Sequence, residues 1–129
     1  MRLEIVDGLY AMVRLAPDAP VPSWATDAHD RFLSITRTDC ELSIVCRESA
    51  VPPAIAAQRG WRCLRVAGNL PFDLVGVAAA ITAPLAAAGI ALLLIATYET
   101  DYLFVAQPGF ASACDALEAA GHEVVARNA

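Results

Sequence analysis

"LVGVAAAITAPLAAAGIALLLIA", residues 74–96, decides the fold, because its uncharged length can be read in two incompatible ways. As one helix it is long enough to cross a bilayer, which takes about 20 apolar residues, usually with basic or aromatic anchors at the ends. The flanks oppose that reading. Asp73 precedes the run, Glu99 and Asp101 follow it, and no Lys or Arg lies close by. Pro84 would remove a hydrogen bond from a continuous helix, and Ala88-Gly89 reads as a helix end, since Gly most easily adopts the left-handed conformation after a last turn. Ile90 to Ile95 is then an apolar block of strand length. The stretch predicts a helix followed by a buried strand, with no membrane span.

Working outward, Trp61 to Ala67 alternates between two faces and reads as a strand. Gly68-Asn69-Leu70-Pro71 is a turn, and Asp73 is expected to cap the next helix by accepting its free backbone N–H groups. Along that helix Leu74, Val77, Ala78, Ile81, Leu85 and Ala88 fall on one stripe. Ile90–Thr97 and Tyr102–Ala106 are strands joined by a turn at Tyr98-Glu99-Thr100. Pro108-Gly109 opens a second helix with Phe110, Ala113, Cys114, Leu117 and Ala120 on one face, and after Gly121 a short strand covers His122 to Ala126. This βαββαβ order is the ferredoxin-like arrangement, α+β, with two helices on one face of an antiparallel sheet. Because Ile90–Thr97 is apolar on both faces, something besides its own helices must cover or extend the sheet.

The first half reads as a shortened βαββ version of the same unit. Leu9–Leu15 is a strand, a short helix is expected around Ser23–Ala28, and Phe32–Thr36 and Leu42–Arg47 form a hairpin. "TDCELSIV" (38–45) and "YETDYLFV" (98–105) each lead from a polar turn into an apolar strand, a comparison that sets Glu41 against Asp101. The expected division is an N-terminal half at 1–50, a Pro-rich linker at 51–60 and a C-terminal domain at 61–129.

All nine basic residues are arginines, and the formal net charge of -5 disfavours nucleic acid and anionic membranes, which need a positive patch. Hydrophobic residues make up 57% of the chain, an excess that suggests apolar surface covered by a second copy. Met1-Arg2-Leu3-Glu4 does not read as a secretory leader, so none is expected, and Cys40, Cys46, Cys63 and Cys114 form no C-x-x-C pair. Buried thiols in a reducing cytosol are therefore expected.

"GWRCLRVAGNLPFDLVGVAAAITAPLAAAGIALLLIATYETDYLFV", from Gly60 to Val105, resembles the ACT-like domain of small bacterial proteins related to the CASTOR arginine sensors. "YAMVRLAPDAPVPSW" and "FLSITRTDCELSIVC" resemble the first half of the same proteins. The most specific parts are Phe72-Asp73-x-x-Gly76, Ala83-Pro84-Leu85 and Thr97-Tyr98-x-x-Asp101. The resemblance implies tandem ACT-like halves and a pocket between the loop before the first helix and the turn after the second strand. Carried over by position, its ligand-binding residues are Gly68, Asn69, Leu70, Phe72, Asp73, Gly76, Thr97, Tyr98 and Asp101. The chemistry agrees: a helix N-terminus suits a ligand carboxylate, Gly76 leaves room, and Asp101 can pair with an ammonium or guanidinium group. Leu74 stands where the arginine sensors carry a second acid, which removes one partner for a cationic side chain.

Each of these residues also has an ordinary structural role. Asp73 serves as a cap and Asp101 as a turn residue; Tyr98 can pack at a strand end, Gly76 can permit close helix packing, and Glu41 can be a strand-edge charge instead of a second, vestigial site. The sequence contains no G-x-S-x-G, H-E-x-x-H, P-loop or dinucleotide motif, and without Lys there is no Schiff base. Thr26-Asp27-Ala28-His29-Asp30 places a His between acids, but adjacent residues do not face one another, and the segment reads as solvated surface. The expectation is a cytoplasmic, non-enzymatic, homodimeric regulatory protein that binds a small molecule, an amino acid above all, and acts on a protein partner, without metal or cofactor. The alternative is a dimeric interaction or assembly module with a vestigial pocket.

Overall fold

The computed structural model describes residues 1–26 and 31–126. Its elements are β1 (Arg2–Leu15), α1 (Ser23–Thr26), β2 (Ser34–Arg37), β3 (Leu42–Arg47), β4 (Gln58–Val66), α2 (Val77–Ala87), β5 (Leu93–Ala96), β6 (Asp101–Ala106), α3 (Phe110–Ala119) and β7 (Glu123–Ala126). Short 3₁₀ turns follow β3 and β6. The reading of 74–96 as helix and strand holds, but the strand begins at Leu93 and is not buried, with Leu93, Leu94 and Ile95 half-buried and Ala96 exposed, because β5 stands at the end of the strand order. No helix among the described residues is long and apolar enough to cross a membrane. The chain forms two compact units, residues 8–61 and residues 1–7 with 62–126.

In the first unit, β3 pairs antiparallel with β1 from Tyr10↔Arg47 to Leu15↔Leu42, and with β2 from Ser34↔Val45 to Arg37↔Leu42. Its core gathers Ala11, Val13, Ala25, Leu42, Ile44, Cys46 and Val51. The hairpin begins later than expected, at Ser34, while Phe32 is buried edge-on to Tyr10 with ring centroids 6.4 Å apart.

The second unit has the strand order β7-β1-β4-β6-β5. Leu3, Leu64, Val66, Leu103 and Val105 share one core with Ile81 and Leu85 of α2 and Phe110, Ala113 and Leu117 of α3, so both helices lie on one face. Alternation puts Arg65 on the other face, where its guanidinium reaches Glu4 Oε1 at 3.1 Å and the Tyr102 hydroxyl at 3.3 Å. Burial opposes that charge, but Tyr102 and Glu4 outweigh it and hold Arg65 above its usual range.

Three sequence expectations change. β1 begins at Arg2, not Leu9, and its first residues pair with β7 in parallel, Arg2↔Glu123 to Ile5↔Ala126, so the sheet is not wholly antiparallel. Asp73 does not cap α2: the helix starts at Val77, and Gly76 is the N-cap residue, with φ 87° and no side-chain cap bond. Of the expected stripe only Ile81 and Leu85 are buried; Val77 is half-buried, and Leu74, Ala78 and Ala88 are exposed. Complete burial of such a side chain contributes about 1.5–3 kcal/mol, so these two anchor most of the helix.

Both long helices end as Gly89 and Gly121 predict. Gly89 and Ile90 donate to Ala86 and Leu85, and Gly121 and His122 donate to Glu118 and Leu117, the paired bonds of a left-handed helix stop. Pro84 has no N–H for the carbonyl of Ala80, one turn back. His122 Nε2 donates to that carbonyl at 2.8 Å. His122 thus satisfies a gap in α2, in addition to ending α3.

Candidate functional site

The loop after β4 and the hairpin between β5 and β6 are fastened together by two hydrogen bonds. Leu70 N–H donates to the Glu99 carbonyl at 2.7 Å, and Thr100 Oγ1 donates to the Val66 carbonyl at 2.7 Å. Thr100 is buried, and its hydroxyl is satisfied by that bond, so it acts as a fixed tie. The hairpin closes on itself through Thr97: its N–H and Oγ1 both donate to the Thr100 carbonyl, at 2.8 and 3.0 Å, and Oγ1 accepts from Thr100 N–H at 3.4 Å.

Beside these ties lies a cleft of about 210 Å³. The loop lends it Leu70, Pro71, Phe72 and Leu74, α2 lends its first residue Val77, and the hairpin lends Ala96 through Asp101. Phe72 and Tyr98 stand at its rim edge to face, ring centroids 4.9 Å apart, although they are 77% and 81% exposed. An aromatic pair left in water forgoes the burial that normally makes aromatics favourable, so it stands available for contact with something further. Glu99 and Asp101 both line the cleft, and no basic side chain does. Gly76 offers no side chain to the first N–H groups of α2, and a helix start of that kind carries partial positive charge.

Of the residues expected at the site, Leu70, Phe72, Thr97, Tyr98 and Asp101 come together on the lining; Gly68, Asn69, Asp73 and Gly76 do not. Gly76 does not sit on a helix face, and a Cβ built on it meets no protein atom within 4 Å, so close helix packing does not explain it. Its left-handed φ does. Sequence reasoning missed Glu99 and Thr100, which occupy the two unspecified positions of Thr97-Tyr98-x-x-Asp101. The Thr97/Thr100 spacing was the available signal for the tie.

The hairpin registers also revise the comparison of the two halves. Arg37↔Leu42 closes one four-residue loop and Ala96↔Asp101 the other, so Glu41 corresponds to Thr100, and the buried Leu42 corresponds to Asp101. Asp27, Ala28, His29 and Asp30 lie outside the described residues; Thr26 Oγ1 donates to the Ser23 carbonyl at 3.0 Å. Among the described residues no cluster of His, Cys, Asp and Glu has the form of a metal site. Cys40 is exposed, in contrast to the buried Cys46 and Cys63 and the half-buried Cys114. Burial raises the thiols of Cys46 and Cys114 above their usual range, with Arg47 working against the first.

The second unit is thus an α+β domain with a loop-and-hairpin cleft beside the start of its first long helix. Residues 56–119 match the ACT domain family model, and residues 8–54 match a second model described as an N-terminal domain. The human cytosolic arginine sensor for mTORC1 subunit 1 is 39% identical over 59 residues, covering 45% of this chain, and the bovine protein matches equally. The matched segment spans 18% of the length of those relatives. A crystal structure of an Agobacterium tumefaciens protein is similar over 99% of this chain and 94% of its own, with a TM-score of 0.90 and 34% identity. The regulatory subunit of aspartate kinase from Thermus thermophilus shares the fold, with a TM-score of 0.62 at 11% identity over 92% of this chain and 94% of its own. The chain is an ACT-like protein related to the cytosolic arginine sensors.

Proposed function

We propose that this protein is a non-enzymatic regulatory module that binds a small molecule, an amino acid, in the cleft between the Leu70–Leu74 loop and the Thr97–Asp101 hairpin. The single observation that carries the reading is the charge pattern of that cleft: two carboxylates from the hairpin, an uncapped helix start from α2, and apolar walls between. An amino acid bears the complementary pair of charges. Its ammonium group suits Asp101 and Glu99, and its carboxylate suits the start of α2. One charge-assisted hydrogen bond of this kind contributes about 1.5–3 kcal/mol. Leu74 makes one wall apolar, while Glu99 adds a second acid from the opposite side, so the walls favour a ligand with an aliphatic or cationic side chain.

The regulatory relatives support the same class of function. The matching hairpin loops support tandem ACT-like halves. A homodimer accounts for α2, which carries no charge from Val77 to Ala87 and buries only Ile81 and Leu85, since a helix apolar all round is normally covered. Work in the cytoplasm fits relatives named as cytosolic. The signal would pass by linkage: ligand at 100 times its dissociation constant stabilises the bound form by about 2.7 kcal/mol, and a partner protein reads the shift.

Thermal melting against each standard amino acid at millimolar concentration tests the proposal. One or two amino acids should raise the melting temperature, and Asp101→Ala should abolish the rise while melting like the parent in their absence. A panel with no response would leave the assembly module as the better reading.

A further inference from the structure

Arg37 and Ala96 hold the same place in the two hairpins, the last strand residue before a four-residue loop that opens with Thr. The loops share their bonding. Thr38 N–H donates to the Glu41 carbonyl at 2.9 Å and Thr38 Oγ1 accepts from Glu41 N–H at 3.2 Å, as Thr97 does with Thr100. What differs is the side chain that follows the sheet out toward the neighbouring loop. Ala96 is small and lines an open cleft. Arg37 instead sends its guanidinium to the loop between β1 and α1, where one nitrogen donates to the Pro17 carbonyl and the other to the Ala19 carbonyl, the latter at 2.9 Å.

We propose that the first half contains a guanidinium-binding cradle, the counterpart of the open cleft, which the chain fills with its own Arg37. The cradle is made of backbone. Pro17 and Pro20 fix φ on either side of Asp18-Ala19, and Ala19 N–H donates to the Ala16 carbonyl at 3.0 Å, which turns the loop. Two carbonyl acceptors suit the planar fork of a guanidinium, and an ammonium, a point charge, cannot engage both in the same way. Asp18 in the same loop adds negative charge. The chain would then present one open cleft and one occupied by itself, and this inference stands apart from the identity of any ligand in the open cleft.

Chemical rescue tests it. Arg37→Ala should lower the melting temperature by a few degrees, and methylguanidinium chloride at tens of millimolar should restore most of the loss, with the parent unmoved. Methylammonium chloride at the same concentration should restore none. A variant that melts like the parent, or a loss that both salts restore equally or neither restores, would overturn the proposal. Should Arg37→Ala fail to fold, Arg37→Lys keeps the charge without the fork, and the same selective restoration is required of it. No amino acid enters the assay, so its outcome is independent of the melting panel.

Discussion

Gly76 shows what a single residue can and cannot disclose. A glycine among helix formers requires a reason, and the sequence marked it correctly, but the reason the backbone gives is the sign of φ at the N-cap and not close helix packing. A side chain there meets no atom, yet the left-handed conformation costs an L-residue about 1–2 kcal/mol. Gly76→Ala should therefore destabilise by about that much in urea, whereas Asp73→Ala, which removes no cap, should stay within about 0.5 kcal/mol. A larger loss from Asp73→Ala would return the capping role to it. That Asp101 lines the cleft was legible because its motif is specific; the place of Glu99 was not, because a motif names the positions it constrains and is silent on those between.

At the scale of elements, hairpins and helix ends were the most readable features, since turn chemistry is local. Leu42–Arg47 was placed to the residue, and both glycine helix stops hold. The start of α2 was misplaced because Asp73 is a residue type favoured as a cap, while Pro71–Leu74 forms a separate turn, with Leu74 N–H donating to the Pro71 carbonyl at 3.1 Å. The bond between His122 and Ala80 was invisible, because it joins residues far apart in the chain through a defect that Pro84 creates. It makes a specific prediction. His122→Ala should cost about 1 kcal/mol, and in a Pro84→Ala background it should cost measurably less, because the restored N–H can take the same carbonyl. Additive effects in that double-mutant cycle would dissociate the two residues.

For the whole molecule, the sequence conveyed the α+β class and the helices on one face, but not that the first strand serves both units. Strand alternation reads poorly across Gly8, whose φ is 95°, and no local pattern can reveal that Arg2–Ile5 will pair with residues 123–126. Cys46 in one unit and Cys114 in the other are thiols that burial holds above their usual pKa. A raised thiol pKa means that the folded state holds its proton more tightly than the unfolded chain. The resulting stability is complete below the ordinary thiol pKa and is lost as pH rises through the folded value. Urea melts across the alkaline range should show stability falling there, less steeply in Cys46→Ala, and Cys40 should be alkylated well before Cys46 or Cys114.

The shared first strand also sets an order of events during synthesis. Residues 8–61 form one contiguous stretch and can settle as soon as they emerge from the ribosome. Residues 2–5 emerge earlier still, but their neighbours in β7 are made more than a hundred residues later. Until then Arg2 to Ile5 must wait with an open strand edge, and a message cut short before residue 123 would leave that edge exposed for another nascent chain to occupy.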